Sequence, residues 1–90
     1  MLERELEKRC RKKLEAKGGM LLKWTCPGHR GVPDRIAILP GGTIIFIEFK
    51  SGSRLTTLQK WWIDRLNAAG CRALVVNNEE EFDAACAIPD

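Results

Sequence analysis

Asp34 follows Pro33 directly, and fourteen positions further on stands Glu48, two residues ahead of Lys50. Two carboxylates and a lysine are the minimum equipment for metal-assisted hydrolysis of a phosphodiester. The carboxylates can hold a hard divalent cation through oxygen. Such a cation acidifies a bound water and polarises a phosphoryl oxygen, and a neighbouring ammonium group stabilises the charge that develops. On a strand from Thr43 to Lys50, alternation puts Ile44, Phe46, Glu48 and Lys50 on one face and Ile45, Ile47 and Phe49 on the other. Charges that end an otherwise apolar face are costly unless they are paired or bind a cation.

Whether Asp34 joins Glu48 depends on the register of the hairpin that Pro40-Gly41-Gly42 closes. A slip of one residue would send the aspartate to the other face. A two-residue Gly41-Gly42 loop sets Asp34 opposite Phe49. A three-residue loop, with Pro40 and Gly41 in a type I turn and Gly42 left-handed, sets Leu39 opposite Thr43 and Asp34 opposite Glu48. Pro40 suits the first turn position and Gly42 the third, so the three-residue loop is expected. Opposed residues have Cβ atoms about 4.5–5.5 Å apart, close enough for both carboxylates to share one Mg²⁺. The backbone carbonyl of Phe49 then serves as a third ligand, with waters and a phosphate oxygen completing the shell.

The elements that must position these groups are legible in the pattern. Leu2, Leu6, Cys10 and Leu14 recur every fourth residue and Gly18-Gly19 supplies a stop, so the chain opens with an amphipathic helix. At 100° per residue Glu3 lies about 40° from the centre of the apolar stripe and Glu7 about 80°. Glu3 is therefore read as the inward acid, able to hold a metal-bound water or a second ion. Met20 to Trp24 reads as a short strand, and Thr25 to Gly31 as a mobile, turn-rich loop. Arg35 to Leu39 and Thr43 to Lys50 form a hairpin. Thr56-x-x-Gln59 is a capping box opening a helix with Leu58, Trp62, Leu66 and Ala69 inward and Gly70 at its end. Arg72 to Val76 is a buried strand. Asn77-Asn78 then caps a last helix, running through Phe82 to about Cys86 and stopped by Pro89. The order helix, three strands, helix, strand, helix predicts one α/β domain over residues 1–90, a mixed sheet flanked by helices.

Ninety residues build only a modest core, which dimerisation would support. The 15 Lys and Arg against 12 Asp and Glu, net +3, permit a phosphate partner without demanding one. The basic run Arg4 to Lys17 reads by default as a solvated helix face. Four cysteines without paired short spacings indicate neither a disulfide framework nor a zinc module, and are expected to be reduced and mostly buried. Cys26 and His29 alone leave a closed zinc site two ligands short. No apolar run spans a bilayer and no signal-peptide core is present, so a soluble protein of a reducing compartment, with no membrane partner, is expected. Lys23, His29, Arg30, Arg35 and Arg54 are candidate contacts to a nucleic-acid backbone. Trp62 is placed in the core and Trp61 off the inward stripe.

The ordered motifs Glu3-x-x-Leu6-Glu7, Gly31-Val32-Pro33-Asp34-Arg35, Ile47-Glu48-Phe49-Lys50, Gln59 and Gly70 resemble the virus-type replication-repair (VRR-NUC) branch of the PD-(D/E)XK nucleases. The resemblance runs from about Glu3 to Val76. It implies a restriction-endonuclease-like core and a Mg²⁺- or Mn²⁺-dependent DNA endonuclease with Asp34, Glu48 and Lys50 as the catalytic set. Glu3 assists, and Gln59 lies near the site beside its capping role. Stand-alone members of this size resemble phage proteins acting as homodimers on branched DNA. That implies Holliday-junction resolvase action in the cytoplasm of a bacterial host. A non-cleaving DNA-binding module on the same fold, and a monomeric nicking or flap nuclease, are the competing functional classes.

Overall fold

A computed structural model of the chain describes residues 1–87; the expected stop at Pro89 lies outside them. The elements are α1 (Glu3–Ala16), β1 (Met20–Lys23), β2 (Arg35–Ile38), β3 (Ile44–Phe49), α2 (Thr57–Ala68), β4 (Ala73–Val76) and α3 (Glu79–Cys86). The sheet order is β1-β2-β3-β4, antiparallel throughout except for the parallel pair β3 and β4. The mixed α/β architecture is the one expected. Among the described residues no helix is long and apolar enough to cross a membrane.

One face of the sheet carries the main core. Leu6, Cys10 and Leu14 of α1 and Phe82 and Cys86 of α3 close over Leu21, Ala37, Ile45, Ile47, Phe49 and Val76. Phe82, Leu6, Leu14, Ile45 and Ile47 are fully buried, each stabilising the fold by roughly 1.5–3 kcal/mol relative to exposure. The period-four stripe of α1 is confirmed from Leu6 onward, whereas Leu2 caps the helix and is 54% exposed. Part of the basic face of α1 is committed to α3: Lys13 Nζ lies 2.9 Å from Asp83 and 3.6 Å from Glu79, and Arg9 lies 3.9 Å from Glu79.

Of the helices only α2 covers the other face, where it packs against β4, and Trp24 packs on Phe46 beside it. Ile63 and Ala73 are buried there, outside the main cluster. The expected inward face of α2 needs correction. Ile63 is its one buried residue, Trp62 and Leu66 are half-buried, and Leu58 and Ala69 are exposed. A single strand under a helix gives it a narrow seat, so the apolar stripe read from spacing is wider than the surface available to bury it. The capping box itself forms, with Thr56 Oγ1 accepting from the Gln59 amide and Gln59 Oε1 from the Thr56 amide.

The hairpin has the expected register. Ladder pairs run from Ile38 with Ile44 to Arg35 with Ile47, and the Leu39 amide donates to the Thr43 carbonyl at 2.8 Å. The turn type differs. Gly42 donates to the Leu39 carbonyl with Gly41 at φ +95°, so Pro40-Gly41 form a type II turn rather than type I. Two consecutive glycines allow positive φ at both positions, and Gly42 at +93° completes the loop.

All four cysteines are free thiols. Cys10 and Cys86 are buried, Cys26 is half-buried and Cys71 is exposed, so only half of the expected burial holds. Desolvation first, then the charge of Glu79, pushes the Cys10 thiol up to about 12, and burial pushes Cys86 up to about 11. Neither is a nucleophile at neutral pH.

Candidate active site

The site lies where β2 begins and β3 ends. One step beyond the Arg35 and Ile47 pair, the same register sets Asp34 opposite Glu48. The Asp34 carbonyl accepts from the Trp24 amide at 2.8 Å, which ties the residue to the end of β1. Pro33 is fully buried and holds the chain flat ahead of the acid. The preceding loop, expected to be mobile, is docked instead. The Trp62 indole donates to the Arg30 carbonyl at 2.8 Å, and His29 meets the Trp62 ring edge-on at 5.6 Å. Gly31, at φ +88°, lies so close to α2 that a Cβ there would sit 2.7 Å from Leu58 Cγ. A glycine is required at this position, and its contact delivers Val32-Pro33-Asp34 to the sheet.

Glu48 is the only buried charged residue among the described positions, at 6% exposure. Its carboxyl is pushed up to about 7, first by desolvation and then by the charge of Asp34. Lys50 and Arg35 pull the value down and Glu3 pushes it up. Asp34, Lys50, Glu3 and Arg35 therefore all act on one buried carboxyl. Lys50 is half-buried, and its amide donates to the Val76 carbonyl at 2.9 Å, which continues the β3 to β4 ladder past Phe49.

A cleft at this end of the sheet is lined by Glu3, Arg4, Glu7, Asp34, Arg35 and Phe49. The amino-terminal turn of α1 contributes Glu3 and Arg4 to it, and the Ser51 hydroxyl after β3 donates to the Met1 carbonyl. Glu3 and Glu7 of α1 both line the cleft, but the depth expected from the helical wheel is reversed. Glu3 is exposed, while Glu7 is half-buried with its side chain 19% exposed. Angle alone misplaces them because it does not see Arg35, which lies 3.4 Å from Glu7 and covers it.

Sequence reasoning missed the partner of Glu7. Arg35 Nε lies 3.4 Å from Glu7 Oε1, and Arg35 Nη1 lies 3.0 Å from the Asp34 carbonyl and 3.4 Å from Asp34 Oδ2. No local signal links residues 28 apart in the chain. Arg35, read from sequence as a nucleic-acid contact, is engaged within the site. Lys23, His29, Arg30 and Arg54 are exposed, and Gln59 is half-buried with its Oε1 taken by the capping box.

Among the described residues no three His, Cys, Asp or Glu side chains stand close enough together to hold a metal ion by themselves. Asp34 and Glu48 with the Phe49 carbonyl fit the smaller requirement of Mg²⁺, which keeps several waters and takes one or two carboxylates. Glu48 is buried, with Asp34 opposite it in the register, and a bound cation would offset the like charge of the two acids.

The fold and this meeting of acids and a lysine define a nuclease-type α/β domain. No protein-family model matches the chain. It is 38% identical over 79 residues to the "Putative nuclease p44" of Acyrthosiphon pisum secondary endosymbiont phage 1, covering 87% of this chain and 85% of that protein. It also superposes on a solved VRR_NUC domain with a TM-score of 0.82 at 30% identity, covering 91% of this chain and 90% of the other. The chain belongs to the VRR-NUC family of PD-(D/E)XK nucleases.

Proposed function

We propose that the protein is a Mg²⁺- or Mn²⁺-dependent DNA endonuclease that acts on branched DNA as a homodimer. The observation that carries the metal-dependent reading is the hairpin register, which brings Asp34 opposite the buried Glu48 with Lys50 in electrostatic reach. Asp34, Glu48 and the Phe49 carbonyl are the proposed ligands, with Glu3 acting through a water. When bound, the ion supplies an acidified water and a polarised phosphate. Lys50 orients the attacking water and stabilises charge on the phosphate as the P–O bond breaks. Gln59 lies beside the site, its side chain fixed by Thr56. Lys23, His29, Arg30 and Arg54 contact the DNA backbone, where each cation contributes to a salt-dependent affinity.

Support for a dimer comes from the face of the sheet that α2 leaves open. Met20, Leu22 and Ile44 are 48%, 46% and 49% exposed there, and Leu58 and Trp61 of α2 add 46% and 52%. These side chains present on the order of 500 Å² of apolar surface, most of the ~800 Å² that a standard interface takes from each partner. No charged residue interrupts Met20, Leu22, Ile36, Ile38 and Ile44. Such a face suits a protein partner rather than a phosphate backbone. A second copy of the chain would offer the same exposed apolar side chains of β1, β3 and α2 to this face.

The test is a panel of linear, flapped and four-way junction DNA, cut with Mg²⁺, Mn²⁺ or EDTA by the native protein and by Asp34→Asn. Metal-dependent cleavage of the junction, absent in Asp34→Asn, is the expected result. Cleavage of flaps alone would transfer the assignment to a flap nuclease. Tight DNA binding with no cleavage in either metal would make the protein a non-cleaving module.

A further inference from the structure

Asp34 is half-exposed, with its side chain 52% accessible, and it precedes β2 rather than lying within it. A metal ligand so placed needs something to hold its carboxylate. Among the described residues its one side-chain partner is Arg35, through Oδ2 at 3.4 Å. Arg35 is itself fixed at two further points, by its Nη1 on the Asp34 carbonyl and by its Nε on Glu7. Its side chain is 23% exposed and that of Glu7 is 19% exposed, so the pair is half-buried in the wall of the cleft. Arg11 stands behind Glu7, its Nε 3.9 Å from Oε1, and closes the chain of alternating charges.

We propose that Arg35, clamped by Glu7, is a positioning residue that holds Oδ2 of Asp34 and leaves Oδ1 free to face a divalent cation. The inference rests on the metal-site reading above and goes beyond it by giving the second α1 acid a task distinct from that of Glu3. Glu7 acts through Arg35 and does not touch the cation. Carboxylates that ligate metals are themselves held by hydrogen bonds, and loss of such a support typically costs 10–100-fold in metal affinity. The alternative action of the same guanidinium gives a different result. If Arg35 merely contributed positive charge beside the acids, Arg35→Lys, which keeps that charge, would leave cation binding unchanged.

The experiment is calorimetric titration of Mn²⁺ into the full chain without DNA, comparing the native protein with Glu7→Gln, Arg35→Lys, the double variant and Asp34→Asn. Thermal unfolding in EDTA monitors the fold of each. The expected result is about a 10–100-fold weaker dissociation constant for Glu7→Gln and for Arg35→Lys, with the double variant no weaker than the worse single one. Native affinity or tighter binding in the Arg35 variant, alongside loss in Asp34→Asn, overturns the clamp and leaves the metal site standing. Additive losses in the double variant overturn the route through Arg35 and make Glu7 an independent contributor. Unchanged affinity in Asp34→Asn overturns both the clamp and the site.

Discussion

Asp34 lies across the sheet from Glu48, one register step past the Arg35 and Ile47 pair, and its charge is the second cause, after burial, that raises the Glu48 carboxyl to about 7. A half-exposed acid and a buried one are thereby made neighbours by a three-residue turn. The charge of Asp34 raises the cost of ionising Glu48, and a divalent cation would remove that cost.

The pH dependence of stability follows from Glu48. Its carboxyl is raised from 4.5 to about 7, so between those values the folded protein keeps a proton that the unfolded chain has lost. Its contribution is fully present below pH 4.5 and is lost as pH rises to about 7, at up to about 1.4 kcal/mol per unit. Urea unfolding in EDTA should show native protein losing roughly 3 kcal/mol relative to Glu48→Gln across this window. Millimolar Mg²⁺ at neutral pH should reverse the loss, because a bound cation replaces the proton.

Lys50 is separable from the ligands. Lys50→Met should lower kcat by about 10²–10³, the range for losing one stabilising donor, while Mn²⁺ binding is not weakened. Glu48→Gln should lower both. Single-turnover cleavage and calorimetry on the same preparations distinguish them.

The glycine ahead of the site can be tested against another in the same loop. Gly31→Ala meets both a positive φ and a collision with Leu58, and should cost roughly 2–4 kcal/mol. Gly28→Ala has a positive φ of +85° but open space, and should cost only about 1–2 kcal/mol. Denaturant midpoints measured side by side give the difference.

If the open sheet face joins two copies, Leu22→Lys should convert the dimer to a monomer at micromolar concentration without unfolding it, because Leu22 is 46% exposed in the single chain. Light scattering reads the mass and circular dichroism the fold. A native protein that is monomeric with and without DNA would remove the dimer from the proposal.

The element order, the mixed sheet and the pairing of Asp34 with Glu48 were legible because period and turn chemistry act locally. Leu6, Cys10 and Leu14 declare one helical face, and Pro40-Gly41-Gly42 limits the hairpin to few registers. What escaped depends on contacts between distant segments. The Arg35 bond to Glu7 joins β2 to α1, and the Trp62 bond to the Arg30 carbonyl converts an apparently free loop into a docked one. Leu58 is apolar and in phase with Trp62 on α2, yet it stays exposed because α2 is seated on β4 alone. The turn at Pro40 is type II because Gly41 adopts a positive φ, a freedom that glycine permits but does not announce.

The central claim concerns one cation, and its direct test is anomalous scattering from crystals of the protein grown with Mn²⁺. The account predicts a peak between the carboxylates of Asp34 and Glu48, within about 2.0–2.3 Å of an oxygen from each and facing the Phe49 carbonyl. A well-ordered site in which Asp34 remains turned wholly toward Arg35, with no peak beside Glu48 at saturating Mn²⁺, would contradict it.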